Sequence, residues 1–229
     1  MNHRIPTIDF IRGLAIILMI FNHFFSLLDA KLNTKYSNHF CINIIGGISR
    51  TLFIFLLGFS FKLSQKNKNY VNKNIYKALQ LLCYSFIINI ITYLIYPEKY
   101  VRFGILHFLS ISLLLLLLLE KIHFSTPLFA GILLYFIYIF VLLKHNTNNI
   151  VLSSIGVHPK YSTMDYFPIC KWFWLVSLGF FVSHNVNNFK YQNNNPLFNL
   201  ISKIGQKSLY IYMLHFPCLF FLHKYLDFY

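Results

Sequence analysis

The chain places ionisable side chains inside runs that are otherwise apolar, and these residues are the natural starting point for chemistry. Arg12 and His23 stand eleven residues apart in the first such run. At about 100° and 1.5 Å per residue, a helix projects both from one face with a rise of about 16 Å between them. An ionisable group surrounded by lipid is costly and marks a functional site by default. Imidazole acts as a general base or nucleophile, and guanidinium acts as an anion clamp. Asp9 lies one turn before Arg12, so an ion pair at the helix edge with a snorkelling arginine is the plainer account of Arg12 alone. The last apolar run carries Ser208, Tyr212 and His215 at i, i+4 and i+7, one stripe, with Pro217 just beyond. Such a stripe also serves as hydrogen-bonding glue between helices. His107 follows Gly104, Arg50 precedes the apolar run Leu52 to Gly58, and His39 lies between the first two runs.

Several chemistries have no residues to support them. There is no glycine-rich phosphate loop, no H-E-x-x-H and no nucleophile elbow. Six Asp and Glu are too few for a dedicated divalent metal cage, so no metal is expected. The inventory of a base, a cation for a tetrahedral oxyanion and basic residues for a phosphorylated carrier allows acyl transfer from a coenzyme A thioester. On this reading His23, His107, His39 and His215 are the candidate catalytic residues. Arg12, Arg50, Lys62, Lys66 and Lys68 are the candidate donor-binding residues.

The elements that position these groups are read from hydropathy. The 229 residues are 57% hydrophobic and 11% charged, far below the roughly 25% charge of soluble chains. A spanning helix needs about 20 mainly apolar residues. The chain offers about seven such runs: Ile8 to Leu28, Ile48 to Leu63, Ala78 to Tyr96, Phe103 to Leu119, Leu128 to Leu143, Phe167 to His184 and Ile204 to Leu226. The expected fold is all-α, a polytopic transmembrane helix bundle forming one domain over residues 1–229. No soluble domain fits between the runs, no fixed-period repeat is visible, and the Asn-rich stretch Asn185 to Pro196 reads as a connection.

A net charge of +14 in a soluble protein would point to nucleic acid, but here the cations sit in breaks between apolar runs, facing headgroups or an anionic ligand. No nucleic-acid partner is expected. Lys and Arg in short loops favour a cytoplasmic amino terminus: the inner side would receive Arg4, Lys62, Lys66, Lys68, Lys73, Lys77, Lys121, Lys190, Lys203 and Lys207. The outer side would receive Lys31, Lys35, Arg50, Lys99, Arg102, Lys144, Lys160 and Lys224. Asp9 and Arg12 interrupt the first run and no small-residue cleavage site follows, so it reads as a retained helix. The four cysteines are scattered, with buried thiols as the default reading.

The stretch Arg4-x4-Asp9-x2-Arg12-Gly13-Leu14-Ala15-Ile16-Ile17-Leu18-Met19-Ile20-x2-His23 resembles the first helix of the heparan-alpha-glucosaminide N-acetyltransferase catalytic-domain family. Its Arg-x10-His spacing also resembles the signature of the broader acyltransferase-3 group. Four blocks follow in that family's order across essentially the whole chain. They are Arg50-x2-Phe53-x4-Gly58-x-Ser60, Phe103-Gly104-Ile105-Leu106-His107, Tyr166-Phe167-Pro168-x3-Trp172-Phe173, and Gly205-x2-Ser208-Leu209-x-Ile211-Tyr212-x-Leu214-His215-x-Pro217. The likeness is greatest to short prokaryote-type members. Gln206 departs from a basic residue, and Lys171 and Trp174 depart from Pro and Gly around Trp172.

The resemblance implies a multi-helix membrane enzyme that moves an acyl group from acetyl-CoA or another acyl-CoA to a saccharide or glycolipid acceptor, and it leaves room for a homo-oligomer. By position it makes His23, His107 and His215 the motif histidines and Arg12 the partner of His23. In lysosomal members the position of His23 is Asn and the reactive histidine falls in the following loop, which makes His39 a rival. Two alternatives stand beside the enzyme. One is a non-enzymatic transporter or lipid-handling membrane protein with the same polar residues lining a path. The other is a family member that binds coenzyme A without catalysis.

Overall fold

A computed structural model describes residues 5–32, 39–185 and 195–226. Arg4, Lys35, Lys190 and most of the Asn-rich connection lie outside the described residues. The chain is mostly helical: α1 Pro6–Leu32, α2 Phe40–Ser64, α3 Tyr70–Ile95, α4 Ile105–Leu119, α5 Thr126–Phe140, α6 Ile150–Ile155, α7 Ile169–Asn185, α8 Pro196–Gln206 and α9 Ser208–Leu226. A two-residue strand β1, Asn146–Thr147, pairs in parallel with β2, His158–Pro159.

Four helices among the described residues are long and apolar enough to cross a membrane: Pro6–Asp29, Phe40–Ser64, Tyr70–Ile95 and Thr126–Lys144, the last including the 3-10 turn after α5. The apolar helices Ile105–Leu119, Ile169–His184 and Ser208–Leu219 are shorter. A 15-residue helix is about 22 Å long, less than the roughly 30 Å hydrocarbon core. The apolar surface is arranged as lipid contact requires. On α5 the side chains of Phe129, Ile132, Leu133, Phe136 and Phe140 are all exposed. Phe129, Leu133, Phe136 and Phe140 follow the three-to-four-residue period of one helix face. The protein is an integral membrane protein, polytopic and helical. Cys170 is buried, whereas Cys41, Cys83 and Cys218 are exposed, which corrects the expectation of buried thiols; a thiol on an outward face meets lipid at little cost.

The chain forms two compact units, residues 1–56 with 188–229, and residues 57–187. In the first, α1 packs on α8 and α9. The α1–α8 contact depends on two glycines. A methyl group on Gly13 would overlap the carbonyl oxygen of Ile201, and one on Gly205 would overlap the carbonyl oxygen of Asp9. Only residues without a side chain let the two backbones approach so closely. Phe10 stacks on Phe198 with ring centroids 4.7 Å apart, and Ser202 Oγ donates to Pro6 O at 3.2 Å. Asn195 caps α8, its side chain accepting from Leu197 N at 2.9 Å, and Pro196 occupies the first turn.

In the second unit α3 packs on α4 and α5 packs on α7. Ser110 Oγ donates to Ala78 O at 2.7 Å, which satisfies a buried hydroxyl across the α3–α4 contact. The connection before α4 and the one before α7 lie side by side. Met164 N donates to Lys99 O at 2.9 Å, Phe167 N to Phe103 O at 3.2 Å, and Phe103 bridges Tyr166 in parallel. Tyr166 reaches the carbonyls of Ser153 at 2.8 Å and Val157 at 3.1 Å, and burial raises its phenol above the ordinary range.

Candidate active site

The first unit brings together three of the candidate residues. His23 on α1 and His215 on α9 face each other with ring centroids 5.3 Å apart and planes tilted by 35°. The guanidinium of Arg50 lies within electrostatic range of the His23 ring. Two neighbouring contacts hold α2 against α1: Ser49 Oγ donates to Ala15 O at 2.8 Å, and Gly46 lies against the amide of Asn22. His215 is buried and His23 retains accessible surface. The pair is therefore reachable from the side of His23.

The tautomer of His215 follows from its partner. Its Nδ1 bonds to the carbonyl oxygen of Tyr212. A carbonyl only accepts, so Nδ1 carries the proton and Nε2 holds the lone pair in the neutral ring. Two residues later Pro217 has no N–H to donate to the carbonyl of Met213, so the α9 ladder lacks one hydrogen bond beside this histidine. The ring of Tyr212 lies 5.0 Å from that of His215. The stripe expected from spacing is thus a local assembly in which Tyr212 fixes the ring of His215 through its backbone.

Arg12 Nη1 donates to Asp9 Oδ1 at 3.0 Å, the i,i+3 pair that the spacing predicts. Asp9 is only 5% exposed, and its Oδ2 has no protein partner among the described residues. Arg50 Nε donates to Gly46 O at 3.1 Å, one turn back on its own helix. His39 is exposed just ahead of α2, where its carbonyl accepts from Ile42 N at 3.0 Å.

The remaining candidates lie in the second unit. His107, 8% exposed, stacks on Phe103 at 5.5 Å and meets Phe86 edge-on at 5.9 Å. Asn89, a residue that spacing does not reveal, lies 3.5 Å from its Nε2. The amide nitrogen of Asn89 is satisfied by Ser85 O at 3.1 Å and Val101 O at 2.8 Å, which turns its oxygen toward His107. Nε2 then carries the proton, and the lone pair lies on Nδ1, buried and without a partner among the described residues. Asp165 accepts from Ile105 N at 2.9 Å at the start of the same helix.

Lys62 lies near the end of α2 with its ammonium 5.2 Å from the centre of the Phe180 ring. Lys66 and Lys68 are exposed in the connection to α3. Close to Lys62 and Tyr70 stands Glu120, whose carboxylate oxygens are enclosed and make no bond of hydrogen-bonding geometry among the described residues. Burial raises this carboxyl above its ordinary range, with Tyr70 and Lys62 partly opposing the shift. Among the described residues no group of three or more His, Cys, Asp or Glu has a metal-holding arrangement.

No curated protein and no solved structure matches the chain. The sequence model of one family, heparan-alpha-glucosaminide N-acetyltransferase, catalytic, matches residues 4–217. That match runs through both units and includes His23, Arg50, His107 and His215. The chain belongs to the heparan-alpha-glucosaminide N-acetyltransferase catalytic family of membrane acetyltransferases.

Proposed function

We propose that the whole chain is one acyltransferase domain that moves an acetyl or other acyl group from acyl-CoA to a saccharide hydroxyl or amine, with the amino terminus cytoplasmic and about seven spans. The observation that carries this reading is the apposition of His23 and His215 at 5.3 Å within a chain of this family. His23 takes the proton of the acceptor as its oxygen or nitrogen attacks the thioester carbonyl. His215, held by Tyr212 as the Nδ1–H tautomer, accepts or returns that proton through Nε2. Arg50 favours the tetrahedral oxyanion by its charge. The attack forms the acyl–acceptor bond; collapse of the tetrahedral intermediate restores the carbonyl, breaks the carbon–sulfur bond and releases coenzyme A, whose thiolate takes up the proton.

Lys62, Lys66 and Lys68 are assigned to the phosphates of the donor, with which ammonium groups form charge-assisted bonds. Arg12 is proposed as a further anion contact for the donor. His39 and His107 remain candidates for the catalytic role.

Purified, reconstituted protein incubated with acetyl-CoA and a panel of amino sugars and neutral sugars tests the reading. Coenzyme A release that requires a saccharide is expected. Solute flux without thioester turnover would show a transporter instead. Labelled donor without acceptor separates direct transfer from an acyl-histidine intermediate, since only the second leaves label on the protein.

A further inference from the structure

The second unit carries a cation outside the catalytic candidates. Arg102 lies in the connection between α3 and α4, its guanidinium carbon 3.9 Å from the centre of the Tyr161 ring and 4.8 Å from that of Tyr100. Its Nε is enclosed and bonds to no protein atom among the described residues. Among those residues, too, no ion pair joins Arg102 to a carboxylate. The two carboxylates nearest to it along the paired connections are otherwise placed. Asp165 accepts from Ile105 N, and Glu98 is exposed in the turn after α3.

The connections that carry this guanidinium and its two rings are tied by hydrogen bonds. Val101 N donates to Thr92 Oγ1 at 3.1 Å, and Val101 O receives the amide of Asn89 at 2.8 Å. Tyr100 O accepts from Thr163 Oγ1 at 3.0 Å, and Phe103 O accepts from Phe167 N at 3.2 Å. The phenol of Tyr161 is tied to Ser153 Oγ. Exposed Lys99 and Lys160 adjoin the two tyrosines in sequence and add positive charge to the same connections. A guanidinium over ring faces makes a cation–π contact through its charge and keeps its N–H groups for oxyanions, which they can bind in a two-pronged fashion.

We propose that Arg102, shelved on Tyr100 and Tyr161, is an oxyanion-binding site that takes a phosphate-class group. The group is carried by a lipid headgroup or by a soluble phosphorylated compound, and the site is independent of the acyl-transfer reading.

The test is thermal unfolding of the full chain in neutral detergent, titrated at constant ionic strength with inorganic phosphate in one arm and dihexanoyl phosphatidylglycerol in the other. Ligand that binds the folded state raises the melting midpoint with concentration. We expect a saturable rise in at least one arm. Arg102→Lys should weaken it at least about tenfold and Arg102→Gln should abolish it, because each removes charge-assisted bonds. Response to the lipid alone identifies a headgroup site, response to phosphate alone a soluble ligand, and response to both the shared chemistry. No response in either arm overturns the proposal, as does an equal response in Arg102→Gln. Should Arg102→Gln fold poorly by circular dichroism, Tyr161→Leu, which keeps the charge and removes the shelf, gives the same reading: undiminished binding in it overturns the site.

Discussion

His23 and His215 face each other at a ring separation of 5.3 Å, and the Tyr212 carbonyl fixes which nitrogen of His215 carries its proton. The pair has one accessible ring, His23, and one buried ring, His215. The pair is the part of the molecule whose removal should separate chemistry from folding.

His23→Ala should lower kcat for acyl transfer by a factor on the order of 10²–10⁴, the usual contribution of a general base. His215→Ala should cost a comparable factor. On the proposed mechanism the double variant should be little worse than the worse single one. Additive losses, measured on protein of unchanged melting behaviour, would show that the rings work separately.

Replacing Lys62, Lys66 and Lys68 by Gln should act on donor binding. We expect KM for acyl-CoA to rise about tenfold or more with kcat nearly unchanged, since phosphate contacts lie away from the reacting carbonyl. An unchanged KM would remove these lysines from the donor site.

Glu120 gives a pH dependence of definite sign. Its carboxyl is raised above the ordinary value of 4.5 chiefly by burial. The folded protein then binds a proton more tightly than the unfolded chain, so stability falls as pH rises from that ordinary value through the raised one. Relative to wild type, Glu120→Gln should gain stability at neutral pH and lose the advantage in acid. Melting profiles that run parallel across that window would contradict the burial of this carboxylate.

Gly205→Ala should destabilise by about 1–3 kcal/mol or more, because the added methyl meets the backbone oxygen of Asp9, which cannot move independently. Gly47→Ala is the control. A methyl there meets nothing within 4 Å, and stability should change by less than about 1 kcal/mol. Equal melting points for the two variants would show that α1 and α8 do not pack through this contact.

The apolar runs make the long helices legible, but their edges follow packing that hydropathy misses. Hydropathy starts the third span at Ala78, yet α3 begins at Tyr70. Asn74 is buried there and donates to Ser64 Oγ at 2.8 Å and Tyr70 O at 2.9 Å, so a polar residue is satisfied inside a helix. Likewise the last run, expected from Ile204, starts in the final residues of α8, Pro196–Gln206, and its remainder from Ser208 is α9. The signal for α8 is present in Asn195-Pro196, a cap followed by proline. In the candidate site, the i,i+3 and i,i+4 spacings foretell the Asp9–Arg12 pair and the Tyr212–His215 grouping, because both are local. The shelf of Tyr100 and Tyr161 under Arg102 joins segments far apart in sequence, and no periodicity carries such information.

The union of α1 with α8 and α9 also has a meaning in time. Helices enter the membrane in chain order, and His23 arrives with the first of them while its partner ring arrives with α9. Throughout the intervening synthesis the first helix keeps a polar ring and a glycine-notched backbone without the surfaces that receive them. Assembly of the first unit is thus a late, long-range closure, and such closures are slow steps in folding. A nascent chain lacking α9 holds the first imidazole without its facing ring, so the pair exists only once the last helix docks.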